Sequence, residues 1–224
     1  MVGGHYITAI VRKLTPESRL GLAILSFTAG FADAACFVFF SGLFAAHVTG
    51  NIVLLAASLS QDMDDTSLLK IASFPAFVVA VWLTAQISRN LKLTASILFT
   101  LEGAILVIVG LVGLLASDEP SHGVINFAMA VAVVFALGIQ NQAQVALDTP
   151  PTTVMTGNVT RLIGSLFAQG SKDDQLDEII LEISAFTIGC IGGAAGVMVF
   201  GLSSFLPVGL ILCCLFFGTS KGQI

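Results

Sequence analysis

Charge is what this sequence has least of. Of its 224 residues, nine are Lys or Arg and fourteen are Asp or Glu, so 10% are charged while 56% are apolar. A soluble domain carries about 25% charged residues. A chain this apolar could not cover a water-facing surface without large sticky patches. The scarcity excludes a soluble globular domain and a disordered tail. The formal net charge of −5 and the single short basic run also exclude a nucleic-acid partner. The partner that fits is the lipid bilayer.

Cysteine is scarce too. Cys36, Cys190, Cys213 and Cys214 all lie inside apolar blocks, with no CxxC pair and no Cys/His ligand spacing. Neither a disulfide nor a metal site is expected, and the four read as small buried hydrophobes. HExxH, GxSxG, P-loop and dinucleotide fingerprints are missing, so no cofactor and no enzymatic activity are expected. The first twenty residues show no short apolar region ahead of a small-residue cleavage site, so no cleaved signal peptide is expected.

Long apolar runs are what the sequence has in abundance. Six strong blocks lie at about 21–40, 71–88, 93–116, 124–147, 179–201 and 203–219, with shorter ones at about 48–60 and 154–169. The blocks are continuously apolar and not alternating, which favours helices over a β-barrel. The expected fold class is an all-α integral membrane protein with residues 1–224 as one membrane domain.

The chain also compares with itself. TGN occurs at 49–51 and again at 156–158, each followed by an apolar run. Upstream, Gly30-Phe31-Ala32-Asp33 lines up with Gly138-Ile139-Gln140-Asn141. The expected organisation is two related halves, about 16–117 and 118–220. The stretches FTAGFADAACF, LFAAHVTGNIVLLAASL, ALGIQNQAQ and PPTTVMTGNVTRL resemble the YoaK family of bacterial and fungal multi-pass membrane proteins. The resemblance covers nearly the whole chain. It implies a bacterial plasma-membrane fold and carries no substrate with it.

Sidedness follows from the basic residues. If both short blocks are re-entrant, Arg12, Lys13, Arg19, Arg89, Lys92, Lys172 and Lys221 fall on one side, with Lys70 at a helix end opposite. The two halves are then inverted, each with three crossings and one re-entrant helix starting at TGN. Both termini are cytoplasmic, and Asp62, Asp64, Asp65, Asp118 and Glu119 face outward. If both short blocks span, the halves are parallel and Arg89 and Lys92 fall outside. The basic count favours the inverted arrangement. So does length, since 12 to 14 helical residues rise only about 20 Å against a core of roughly 30 Å.

In the inverted arrangement both TGN segments begin near the bilayer centre. Thr49 and Thr156 are N-cap candidates, Gly50 and Gly157 permit close backbone approach, and Asn51 and Asn158 offer donors and acceptors. Half-helix starts at the midplane recur in transporters and suit an anion or a polar neutral solute. A plain packing turn is the alternative. Asp33, Glu102 and Arg161 lie deep in apolar blocks, where charge is costly and needs a partner. An Asp33–Arg161 or Glu102–Arg161 pair is the simplest expectation, against a substrate or proton site. His47 is either titratable or a packing histidine. Gln140, Asn141 and Gln144 read as cavity lining, with interhelical ties as the alternative. Glu182 reads as close enough to a helix end to reach the interface. Gly189, Gly192, Gly193 and Gly196 form a packing stripe that serves either the repeat interface or a homo-oligomer. The functional expectation is a small transporter or channel with its path between the halves. A structural or regulatory membrane subunit and a membrane-embedded enzyme are the alternatives.

Overall fold

The computed structural model describes residues 15–58, 65–115, 123–167 and 173–217. Arg12, Lys13, Asp62, Asp64, Asp118, Glu119, Lys172 and Lys221, on which the sidedness reading leans, lie outside the described residues. Among the described residues the chain is helical and contains no strand. The elements are α1 (Arg19–Phe39), α2 (Val48–Ser58), α3 (Asp65–Leu91), α4 (Ala95–Leu115), α5 (Val124–Ala146), α6 (Met155–Phe167), α7 (Asp173–Phe200), a 3₁₀ turn (Gly201–Ser204) and α8 (Phe205–Phe217).

Local chemistry sets the boundaries. Ser18 caps α1, its hydroxyl accepting the Gly21 N–H at 3.1 Å. The chain leaves α1 through Ser41 and Gly42, which hold φ of 51° and 96°. It leaves α5 through Asp148 at φ 54°, and α3 through Lys92 at φ 51°. Left-handed residues of this kind end helices because they turn the backbone out of the helical path. Pro150 and Pro151 keep the segment before α6 out of a helix. Pro75 is accommodated inside α3.

Five segments are long and apolar enough to cross a membrane: Arg19–Phe39, Ser67–Leu91, Ala95–Leu115, Val124–Ala146 and Leu176–Phe217. The last runs 42 residues and contains the two final blocks expected from the sequence. It is broken at Gly201, whose φ of 55° starts the 3₁₀ turn, so α8 keeps only 13 residues. The exterior is apolar: Trp82, Leu115, Val124 and Met198 are all more than half exposed. In a water-soluble protein such a surface would aggregate; here it is the face offered to lipid.

Glycines set the closest helix contacts. A Cβ on Gly30 would run into the Phe186 carbonyl, one on Gly189 into the Phe27 carbonyl, and one on Gly193 into the Phe31 carbonyl. These contacts lay α1 parallel to α7. They assign the Gly189, Gly192, Gly193 and Gly196 stripe to packing within the chain. A second seam joins α4 to α8. Gly113 meets Leu202, Gly110 meets Leu206, and Gly103 meets Gly209, so these two helices run antiparallel. Elsewhere α3 packs on α5, α4 on α5, α2 on α3 and α6 on α7. The shared core draws on α1, α4, α5 and α8, with Leu25, Phe99, Leu106, Leu137, Phe205 and Leu212 at its centre.

Candidate functional site

The loop from Phe40 to His47 joins α1 to α2, and it is held from both sides. Asp33 on α1 is buried at 4% exposure. Its Oδ1 accepts the N–H groups of Ala46 at 2.6 Å and His47 at 3.4 Å. Its Oδ2 meets Nδ1 of His47. The partner of Asp33 is therefore a histidine from the adjoining loop. The expected pair with Arg161 does not form, because α6 leaves Arg161 exposed beside Asn158. Asn51, fully buried in the first turn of α2, holds the other side. Its Oδ1 accepts the Phe44 N–H at 2.8 Å, and its Nδ2 donates to the Phe44 carbonyl at 2.7 Å and to Ser73 Oγ at 2.9 Å.

Beside this couple lies a cavity of about 670 Å³ between α1, the loop, the start of α2 and α7. Asp33, His47, Thr49, Gly50 and Cys190 line it, with Phe37, Phe44 and Phe186 among its apolar walls. The His47 ring stands edge-on between Phe44 and Phe186, at centroid distances of 6.1 and 6.0 Å. The His47 side chain is 38% exposed, so the Asp33–His47 couple is presented to the cavity and not sealed behind it.

The second loop has a different chemistry. Gln144 Oε1 accepts the Thr152 N–H at 3.0 Å, and its Nε2 donates to Thr152 Oγ1 at 2.9 Å. Gln140 Nε2 donates to the same hydroxyl at 2.8 Å and to the Leu25 carbonyl on α1 at 3.0 Å. Asn141 Nδ2 donates to Thr153 Oγ1 at 2.8 Å. The three amides expected to line a cavity are thus spent on fastening the loop, which is the interhelical alternative.

Asn158 donates to Glu182 Oε2 at 2.7 Å, and Arg161 Nη1 donates to Asn158 Oδ1 at 3.3 Å. Arg161 is exposed and pairs with neither Asp33 nor Glu102. Glu182 does not reach the interface. It is 3% exposed, because α7 begins at Asp173 and places it well inside the helix. Glu102 is fully buried, and neither carboxyl oxygen has a hydrogen-bond partner.

The two TGN segments are not brought into one cavity. Thr49 and Gly50 line the one described above, whereas Thr156 and Gly157 do not. Nor are the threonines N-caps. The helices begin at Val48 and Met155, and the first-turn bonds run from Gly50 N–H to the His47 carbonyl and from Gly157 N–H to the Val154 carbonyl. Gly50 does sit close to a neighbour, since a Cβ there would lie 3.1 Å from the Phe44 ring. Around Gly157 there is open space.

Sequence reasoning missed Ser73, Thr152, Thr153 and Glu182. For Glu182 a signal was present: Ile179, Glu182, Phe186, Gly189 and Gly193 recur at three- and four-residue spacing, which puts the acid on the face of the glycine stripe. Nothing comparable marks Thr152 or Ser73.

Comparison with known proteins gives a family and no activity. The chain is similar to the UPF0700 transmembrane protein YoaK of Bacillus subtilis (strain 168). The two are 26% identical over 182 residues, which is 76% of this chain and 79% of that protein. No solved structure matches. A family described as "Protein of unknown function (DUF1275)" matches residues 21–218, and this multi-pass membrane protein belongs to it.

Proposed function

We propose that the chain is a small membrane transporter or channel that binds an amphipathic solute, anionic or neutral, in the cavity beside Asp33 and His47. The observation that carries this reading is a titratable couple presented to a cavity of about 670 Å³ that opens at the surface of a membrane-embedded bundle. Ionisable groups at such positions belong to solute or proton paths more often than to packing. The phenylalanine walls suit an apolar body, and His47 and Thr49 suit one polar group.

The same proposal takes the two halves as inverted repeats, each of three crossings and one re-entrant helix. Several features support it. Left-handed residues recur in corresponding places, Ser41 with Asp148 and Lys92 with Gly201. Gly42 N–H bonds to the Phe37 carbonyl as Thr149 N–H bonds to the Gln144 carbonyl. Gly30 packs on Phe186 of α7, and Gly138 packs on Ala80 of α3. The antiparallel α4–α8 seam fits inversion, whereas eight crossings would make those two helices parallel. The basic residues then set both termini in the cytoplasm of a bacterial cell.

The role is transport and not catalysis. A deletion strain should change a solute gradient, and a missing metabolic product would favour an enzyme. In proteoliposomes, the wild-type protein should give saturable flux of one member of a panel of organic acids and neutral amphiphiles. Asp33→Asn and His47→Ala should reduce it to background. No flux across the panel, or full flux in both variants, removes the reading. Sidedness is checked in a cysteine-free background with single cysteines at Gln61 and Asn90. Inversion requires labelling from outside and inside respectively, and the reverse labelling restores eight crossings.

A further inference from the structure

Three acids are buried in the described helices, and two of them are satisfied. Asp33 has His47 and two backbone N–H groups, and Glu182 has the Asn158 amide. Glu102 differs. It is 0% exposed, and both of its carboxyl oxygens lack a partner. It occupies the core face of α4, one turn from Leu98 and Phe99 on one side and from Leu106 on the other. A charge held there without a partner would cost far more than any fold of this size can offset. A carboxyl kept only for structure would be tied by a hydrogen bond, as the other two are.

The surroundings narrow what Glu102 can hold. Among the described residues no group of three His, Cys, Asp or Glu side chains is placed to bind a metal ion. The titratable group that faces it from α8 is Cys213, whose Sγ lies 3.5 Å from the Thr100 carbonyl. The α5 helix packed on α4 carries no titratable residue. The residue after Glu102 is Gly103, which meets Gly209 of α8 backbone to backbone, with the Leu212 and Val107 side chains beside the contact. Three further buried atoms without partners, Ser26 Oγ, Thr94 Oγ1 and Gln140 Oε1, lie on α1, just before α4 and on α5. Gln140 itself bonds to the carbonyl of Leu25, the residue next to Ser26. Unsatisfied polar atoms of this kind are places for water and for proton exchange.

We propose that Glu102 is a proton-binding site, separate from the cavity at His47. Its carboxyl carries a proton in the closed bundle and exchanges it when the α4–α8 seam opens. The site does not depend on the transport reading, since a proton can bind whether or not a solute crosses.

The test uses the full chain in lipid nanodiscs and two probes. Infrared spectroscopy reads the carbonyl stretch of a protonated carboxylic acid without needing access to it. Dicyclohexylcarbodiimide reads exchange. It adds to a protonated carboxyl: the acid proton passes to one nitrogen and the acid oxygen bonds to the central carbon. Acyl transfer from that oxygen to nitrogen then leaves a stable N-acylurea, with no atom lost. The expected results are an acid band at neutral pH that is missing in Glu102→Gln, and an adduct mapped to Glu102. The adduct yield should fall about tenfold per pH unit above the midpoint of the titration. Glu102→Gln, an isostere of the neutral acid, should fold as the wild type does. The proposal is overturned if Glu102→Gln leaves the acid band unchanged. It is equally overturned if the band is present but Glu102 takes no adduct at any pH and the band does not respond to alkali, because a fixed structural acid behaves that way. Solute flux is not a readout in either arm, so failure here and failure of the transport reading are distinguishable.

Discussion

In the first loop, a carboxylate and a histidine meet at the wall of a cavity; in the second, three amides and two hydroxyls close on one another. Both loops run from the end of a long helix into a short helix carrying TGN. Asp33 spends Oδ1 on the backbone of Ala46 and His47 and leaves its other oxygen to the His47 ring. Gln140, Asn141 and Gln144 spend their donors on Thr152, Thr153 and Leu25. The site that corresponds to His47, two residues before the TGN threonine, holds Val154 in the second loop, which cannot take part in such a couple. The same backbone course can therefore be pinned by neutral hydrogen bonds alone. A carboxyl–histidine couple is not needed for the fold, which is the reason to assign it to function.

That contrast can be broken at graded cost. Asp33→Ala strips two backbone N–H groups and the imidazole of their acceptor, and should lower stability by about 3 kcal/mol, read by unfolding in detergent. Gln144→Ala removes the acceptor of the Thr152 N–H and one of the two amide donors to its hydroxyl, and should cost roughly 1–3 kcal/mol. It should leave solute flux intact, because no atom of Gln144 lines the cavity. His47→Val copies the second loop into the first. It should cost about 1 kcal/mol, since Asp33 keeps its two backbone donors, yet flux should fall to background. The smallest effect is at the glycines. Gly157→Ala meets open space and should stabilise α6 by about 0.5–1 kcal/mol. Gly50→Ala gains nothing, because its Cβ would press on a Phe44 ring stacked 4.8 Å from Phe37.

The long apolar helices and the two short helices at TGN were legible in the sequence, because apolar runs and a recurring tripeptide are local patterns. The glycine stripe was legible as packing for the same reason. The partners of the buried polar groups were not. Asp33 and His47 are fourteen positions apart across an irregular loop, and no periodicity links them. Asn51 and Ser73 meet only because α2 folds back on α3. Arg161 was the nearest guess for a buried acid because it is the one cation in its block, but α6 turns it outward beside Asn158. The apolar block containing Glu182 starts at about residue 179, whereas the helix starts at Asp173, so a residue read as terminal lies well inside.

The most direct measurement is saturable solute flux in proteoliposomes for His47→Val and Gln144→Ala side by side, each normalised to folded protein. If the first loop holds the solute and the second only fastens the fold, His47→Val shows background flux and Gln144→Ala matches the wild type. Wild-type flux in His47→Val, or equal loss in both variants, would contradict the assignment of the site to the first loop.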